Sequence, residues 1–185
     1  EPGTISNEIV SMHDFLPTFL AAAGDPNIKE KLKAGYEADN GRTYRVHLDG
    51  YSLRPYLAGD TDTHAREGFM YFADNGDVMA VRFHNWKFVF VEQPARGTYN
   101  EWIEPYKRLR IPKIFNLRTD PFETADFASN AYYDFMNRHT WMMPAAMGLV
   151  GEFIVTLKEF PRRQAPPGFD PSAVMRKLEA AQANR

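Results

Sequence analysis

Apolar and polar residues follow two different periods along this chain, and the change falls near residue 69. In the first part, Leu16, Phe19 and Leu20 recur at helical spacing, and Pro17 favours a helix that starts near Asp14. A glycine follows each predicted helix, as is typical of helix ends. The predicted helices cover residues 14–23, 28–34 and 53–57, and residues 36–48 are polar and irregular.

From residue 69 onward, alternating side chains predict an antiparallel meander. Its first three strands cover residues 69–73, 78–83 and 86–91. The pair His84-Asn85 tolerates a positive φ and predicts a hairpin turn, and Asp74-Asn75-Gly76 predicts the turn before it. After an excursion over residues 94–112, residues 114–117 return as a fourth short strand.

The pattern beyond Asp120-Pro121 is helical again. We interpret Asp120-Pro121 as a turn or helix start and Glu123 as a first-turn charge that the helix dipole favours. A helix over residues 131–143 is expected to break at Pro144, which suits the first turn of the next helix because the N–H it lacks would be unpaired there. That next helix carries one apolar stripe: Ala146, Leu149, Val150, Phe153, Leu157 and Phe160. A proline-rich linker at residues 161–169 then precedes a last helix that opens at Asp170-Pro171.

These elements define an α+β fold class, with a small antiparallel sheet of about four strands packed against helices. The length of 185 residues and the 44% hydrophobic content are sufficient for a globular core. A net charge of -2 gives no reason to expect a nucleic acid partner. No apolar run approaches the roughly 20 residues that span a bilayer, so we expect no membrane partner either.

The chain contains no cysteine. It therefore has no disulfide, no thiolate metal site and no thiol nucleophile. The absence of cysteine is compatible with both the bacterial periplasm and the bacterial cytoplasm, so it does not identify the compartment. The chain opens on Glu1-Pro2-Gly3 without a methionine or signal peptide, and we expect it to be cut from a longer chain.

Three polar groups could be read as sites, and each has a structural explanation. Asp74-Asn75 offers oxygen ligands for a hard cation, but Asn-Gly between two strands is ordinary turn chemistry, so we expect no metal there. His13 and Asp14 are adjacent and would not face one point on a helix, whereas Asp14 suits helix capping. The basic run at residues 107–110 is short enough to be a solvated surface.

His47 and Asp49 are the residues that we name as candidates for the rim of a substrate pocket. They lie two apart in a polar stretch and would point the same way if that stretch were extended. The alternative is that both are merely solvated loop residues. The residue chemistry offers no catalytic constellation, so no catalytic and no metal-binding residue is assigned.

Five short segments occur along the chain in a fixed order. They are Pro2-Gly3; Asp14-x-x-Pro17-Thr18; Asp49-Gly50-x-Ser52-Leu53-x-Pro55-x-Leu57; Val81-Arg82 with Trp86-Lys87; and Asn116-Leu117-x-x-Asp120-Pro121-x-Glu123. Together they resemble the C-terminal portion of a type I, formylglycine-dependent sulfatase of the bacterial arylsulfatase-like kind. Sulfatases of this type resemble alkaline phosphatase in fold.

The resemblance implies how the chain is organised. Residues 1–60 would be the terminal segment of the sulfatase α/β core, residues 61–130 the antiparallel-sheet subdomain, and residues 131–185 a helical tail. Such enzymes use calcium and a formylglycine made from the Cys or Ser of a Cys/Ser-x-Pro-x-Arg motif. This chain has no cysteine, and none of its serines stands in that motif. Calcium and formylglycine are therefore implied for the full-length parent and not for this chain.

The function implied is that of a C-terminal part of a sulfuric ester hydrolase, which contributes fold and pocket rim and is inactive alone. Its partner would be the N-terminal catalytic portion of the same protein, and a sulfate ester would bind only to the whole enzyme. One alternative is a fragment of a related phosphonate or phosphate monoester hydrolase. Another is a non-enzymatic binding or assembly module, such as a homo-oligomer that buries Leu16, Phe19 and Leu20.

Overall fold

The computed structural model describes residues 3, 5–60, 65–95, 97 and 99–161. The predicted linker beyond Pro161 and the predicted helix at Asp170 lie outside the described residues.

The first part of the chain is helical, as its periodicity predicts. It contains a 3-10 turn at Met12–Asp14, then α1 (Phe15–Ala22), α2 (Ile28–Ala34) and the short α3 (Arg54–Leu57). The stretch predicted to be irregular also holds two short antiparallel strands, β1 (Tyr36–Glu37) and β2 (Thr43–Tyr44). Gly35 lies between α2 and β1 with a φ of 113°, a conformation that favours glycine.

A capping box precedes α1. The N–H of Ser11 donates to the Asp14 carboxylate at 2.8 Å, and the Ser11 hydroxyl accepts from the N–H of His13 at 3.4 Å. These bonds cap the 3-10 turn, and the α-helix follows directly after Asp14. Both signals in the sequence, the Ser11–Asp14 spacing and Pro17 in the first helical turn, are therefore used.

The predicted antiparallel meander is present. It consists of β3 (Gly68–Phe72), β4 (Val78–Phe83), β5 (Trp86–Glu92) and β6 (Lys107–Asn116), paired in the order β3-β4-β5-β6. The predicted turns are present too: His84 has a φ of 50° and Gly76 a φ of 78°. The N–H of Asp77 donates to the Asn75 side-chain oxygen at 2.9 Å, so Asn75 stabilises the first turn.

The start of the last strand was predicted wrongly. β6 begins at Lys107, inside the predicted excursion, where Lys107 pairs with Glu92 across the strands. The register between β5 and β6 then shifts, because Val91 pairs with Arg108 but Val89 pairs with Lys113. Residues 109–112 therefore form a bulge-like irregularity in β6. Pro112 has no N–H to give to a ladder, which is why the sequence reads as interrupted at this point.

The chain after the sheet is helical. It contains α4 (Ala125–Ala128), α5 (Tyr132–His139), a 3-10 turn at Thr140–Met142 and α6 (Met143–Glu159), with Pro144 in the first turn of α6 as predicted. The predicted stripe of α6 faces inward: Ala146 is buried and the other five residues are half-buried.

Glu123 does not lie in the first turn of a helix, which corrects the prediction for it. It precedes α4 with a φ of 54°, and its carboxylate accepts from Lys87 Nζ at 2.7 Å. Asp120 takes the position near the helix start instead. Its carboxylate accepts from the N–H groups of Thr124 and Ala125 at 3.0 and 2.9 Å, and these bonds lower the pKa of Asp120 although its partial burial acts in the opposite direction.

The core lies between the sheet and the C-terminal helices. Its buried members are Val81, Phe88, Ile114, Phe115, Tyr132, Met136 and Ala146. The Tyr132 hydroxyl donates to the carbonyl of Ile114 at 3.2 Å and accepts from its N–H at 3.1 Å, so α5 is hydrogen-bonded directly to β6. Burial raises the pKa of Tyr132 to about 12.

One helical stretch, Tyr132–Glu159, is long and apolar enough to cross a membrane by length and composition alone. The sequence prediction divided this stretch at Pro144 and so found no such run. Core helices of globular domains meet the same criterion. Such core helices are mostly buried, whereas only 6% of the qualifying window is buried here, with Ala146 of α6 in the core; length and composition alone do not assign this stretch to a membrane.

Candidate functional site

Asp14 is the centre of the junction between the first part of the chain and the sheet. Its side chain is fully buried. The carboxylate accepts from the N–H groups of Ser11 and Tyr51, each at 2.8 Å, and from Arg66 Nε at 3.0 Å. Arg66 Nη2 also donates to the second carboxylate oxygen. Asp14 therefore joins three segments that are far apart in sequence.

The charge on Asp14 is stabilised by these partners. Burial alone would raise the pKa of the carboxyl. The hydrogen bonds from Arg66, Tyr51 and Ser11 outweigh that effect and hold the pKa of Asp14 below its usual value. Asp14 is thus an ionised, fully paired group, and it lacks the free lone pair that a general base or metal ligand would need.

Thr18 and Gly50 complete the junction. The Thr18 hydroxyl donates to the Asp14 carbonyl at 2.6 Å and accepts from the N–H of Leu53 at 2.9 Å. Gly50 packs so closely on the 3-10 turn that a Cβ there would lie 1.9 Å from the carbonyl oxygen of His13. The Asp-x-x-Pro-Thr and Asp-Gly-x-Ser-Leu segments are therefore two halves of one packed structure.

A cleft of about 450 Å³ opens beside this junction. We call it the rim cleft. Its lining includes polar side chains from the first part of the chain and from Arg66: His13, Lys29, His47, Asp49, Tyr51 and Arg66. Strand β3 and α6 also line it, with Phe69 and Phe153 among their contributions. Its volume is within the range of small-molecule sites in proteins.

The structure brings the two predicted rim residues together in this cleft. His47 Nδ1 lies 3.2 Å from Asp49 Oδ1, and the side chain of Asp49 is the more exposed of the two. A second cleft of about 530 Å³ adjoins it and shares His47 and Asp49 with it. Arg45 lies there, paired with Glu159 at 3.0 Å and over the Phe160 ring. Contact with a substrate remains a prediction for His47 and Asp49.

Lys29 is the most distinctive charged group of the rim cleft. Its Nζ lies 4.1 Å from the centre of the Tyr51 ring, and Arg66 lies 5.0 Å from the same ring. Partial burial lowers the pKa of Lys29, although Asp49 and Glu30 act in the opposite direction. Positive charge, aromatic faces and carboxylates thus meet in one open site.

The other groups considered in the sequence have structural roles. His13 is exposed and stacks on Phe69 with ring centres 6.0 Å apart, while Asp14 is buried, so the adjacent pair does not act on one point. Arg108 in the basic run is exposed and pairs with Asp77 at 2.8 Å. Among the described residues, no group of three or more His, Cys, Asp or Glu side chains could hold a metal ion.

The sequence did not indicate Arg66 or Lys29. Arg66 is a single basic residue in a short polar stretch, and only the fold shows that it reaches Asp14, 52 positions away. Lys29 follows the buried Ile28 at the start of α2, where a lysine normally points to solvent. Thr18 was noticeable only as part of the Pro-Thr segment.

Comparison with protein-family models shows the family to which the chain belongs. The model described as the C-terminal region of aryl-sulfatase matches residues 64–164, which is more than half of the sequence. The chain belongs to this family. The match covers the whole four-stranded sheet and α4, α5 and α6.

A solved structure supports the fold. The chain is similar to the PsFucS1 sulfatase from Pseudoalteromonas sp., with a TM-score of 0.59 and 22% sequence identity. The similarity covers 88% of this chain but only 29% of that sulfatase, so the chain spans less than a third of its length. At this identity the likeness shows the shared α+β fold and nothing about activity. No curated protein matches the sequence.

Proposed function

We propose that this chain is the C-terminal part of an arylsulfatase-like sulfuric ester hydrolase and that it contributes fold and pocket rim without the catalytic centre. The observation that carries the proposal is the family match over residues 64–164. The Asp14–Arg66 pair supports extending it to residues before the match, because this buried pair fastens that earlier segment to the sheet.

The chemistry of the parent would depend on groups outside this chain. Formylglycine needs a Cys or Ser in the Cys/Ser-x-Pro-x-Arg motif, and the sequence has no cysteine and no serine in that context. Calcium does not fit the one segment that resembles a calcium ligand pair. The amide of Asn75 is hydrogen-bonded to Asp77 on both of its polar atoms, and Asp77 in turn pairs with Arg108. We therefore assign no calcium ligand to the described residues.

The rim cleft is the part of the chain that we assign to substrate. His47 and Asp49 lie at its edge and form a hydrogen-bonded pair that could orient a polar group of the ester. In the full-length enzyme, His47→Ala is expected to raise KM several-fold with kcat little changed, because a rim residue contributes to binding but not to bond cleavage.

The exposed apolar face of α1 supports a partner within the same protein. Phe19 is 65% exposed, Leu16 51% and Met12 79%. The inward face of α1 is formed instead by Pro17, Thr18 and Ala21. Large apolar side chains exposed on one short segment favour an interface there. We assign it to the N-terminal catalytic portion of the parent.

Assays of the full-length product of the gene test this function. We expect it to hydrolyse 4-nitrophenyl sulfate and to carry a Cys/Ser-x-Pro-x-Arg motif upstream of the present residues. Hydrolysis of 4-nitrophenyl phosphate or a phosphonate ester in preference to the sulfate would favour the related monoester hydrolases. A gene product that turns over no ester and assembles through α1 would favour a binding or assembly module.

A further inference from the structure

Lys29 carries a positive charge that the described part of the chain leaves without a paired anion. No carboxylate oxygen of the described residues lies within the 4.0 Å of a salt bridge to its Nζ. Lys31, Lys87 and Lys113 each have such a partner, at 2.8, 2.7 and 2.5 Å. The Lys29 ammonium lies over the Tyr51 ring instead, 4.1 Å from its centre.

The surroundings of Lys29 make this charge costly. Partial burial removes water from the ammonium group and so lowers the pKa of Lys29. The negative charges of Asp49 and Glu30 offset only part of that effect, and the positive charge of Arg66 adds repulsion. An anion at this position would replace the missing water and counter-charge. A titratable group that is partly desolvated inside a cleft is a candidate for a functional site.

We infer that the rim cleft binds an anionic group, a sulfate or a carboxylate, with Lys29 Nζ as its direct hydrogen-bond donor. The cleft opens beside Lys29, and the side chains of Tyr51 and Phe69 contribute aromatic surface to its lining. The further step of assigning this anion to a substrate rests on the proposed function.

The acidic groups of the cleft define what the ligand can be. Asp49, Glu67 and Glu152 line it as well. They repel a ligand with many negative charges, so a nucleic acid or a densely charged polyanion does not fit. A ligand with one anionic group on an otherwise uncharged body does fit, because its anion meets Lys29 and the rest of it carries no charge for the carboxylates to repel.

The anion is either a free anion from solution or a group carried by a larger ester, and one experiment separates these two sources. The 185-residue chain is reductively methylated with carbon-13 at its lysines, a change that keeps their charge. It is then titrated with sodium sulfate, sodium acetate or 4-nitrophenyl sulfate while sodium chloride holds the ionic strength constant. The Lys29 signal is identified as the one that is missing in Lys29→Gln.

We expect the Lys29 signal to shift saturably while the signal of Lys33, exposed on the same helix, stays in place. Saturation by sulfate or acetate identifies a free-anion site, and saturation by the aryl sulfate alone identifies a site that needs the aromatic body of the ester as well as its sulfate group. Equal shifts at all lysines, or no shift at Lys29, would overturn the inference.

Two variants complete the test. Lys29→Gln is expected to weaken binding at least tenfold, and Lys33→Gln, with the same loss of charge, is expected to leave it unchanged. If Lys29→Gln does not fold, Lys29→Arg, which keeps the charge and also lacks the methylated-lysine signal, identifies the Lys29 signal, and the titration of the unaltered chain then decides. None of these measurements needs hydrolysis, so a failed activity assay of the parent and a failed anion titration are separate results.

Discussion

At the scale of single residues, Asp14 has the greatest structural effect in the first part of the chain. Its carboxylate collects hydrogen bonds from Ser11, Tyr51 and Arg66, and its carbonyl accepts from Thr18. A fully buried charge of this kind is stable only while every partner is present. We therefore expect Asp14 to contribute strongly to the stability of the fold.

Replacing Asp14 tests this directly. Asp14→Asn leaves the Arg66 guanidinium without its counter-charge in a site that is only 8% exposed. We expect the free energy of unfolding in urea to fall by about 3 kcal/mol or more. Asp25→Asn removes an exposed pair with Lys31 and should cost less than about 1 kcal/mol. Equal losses in the two variants would contradict the assigned role.

The pH dependence of stability offers a second measure of the same residue. The pKa of Asp14 is lower in the folded chain than its ordinary value of about 3.9. The stabilisation is therefore fully present above pH 4 and is lost as the pH falls through the lower, folded-state pKa. In urea unfolding at successive pH values, Asp14→Asn should reduce this acid-dependent loss.

Gly50 is the second residue whose identity the structure explains. An added methyl group would collide with the carbonyl oxygen of His13, so Gly50→Ala must displace backbone. We expect a loss of about 1–3 kcal/mol in unfolding free energy. Gly148 in α6 has open space around it, and Gly148→Ala should be neutral or stabilising by up to about 1 kcal/mol. Similar losses at both sites would refute this account.

At the scale of elements, what the sequence predicts depends on whether the signal is local. The boundaries of α2 and β4 and both hairpin turns are confirmed, because stop glycines, alternation and turn residues lie within each element. The start of β6 was missed because cross-strand pairing with β5 outweighs the local signals around Pro112. The Asp14–Arg66 pair could not be predicted either, since no local pattern joins residues 52 positions apart.

The Tyr132 hydroxyl hydrogen-bonds α5 to β6, in addition to the packing of the two elements in the core. Tyr132→Phe leaves the N–H of Ile114 buried without that partner, and we expect a loss of about 1–2 kcal/mol in unfolding free energy. The pKa of Tyr132 is about 12 in the folded chain and about 10 in an unfolded one. The stabilisation is therefore present below pH 10 and is lost between pH 10 and 12. Alkaline unfolding curves that are identical for Tyr132→Phe and the unaltered chain would contradict this assignment.

At the scale of the whole molecule, the chain is a sheet and helix assembly whose earlier segment is fixed to it by a buried ion pair. The family match places its sheet in the C-terminal region of aryl-sulfatase, and the chain spans only 29% of the similar sulfatase structure. Because the nucleophile motif is absent from the sequence, we expect turnover to belong to the complete parent and not to this part.

Hydrolysis of 4-nitrophenyl sulfate by the purified 185-residue chain, with calcium present, is the most direct measurement of that claim. The full-length product of the gene, assayed at the same concentration, is the positive control. We predict no hydrolysis above the buffer rate by the 185-residue chain and calcium-dependent hydrolysis by the full-length protein. Calcium-dependent turnover by the 185-residue chain itself would contradict the account, since it would place a catalytic centre within these residues.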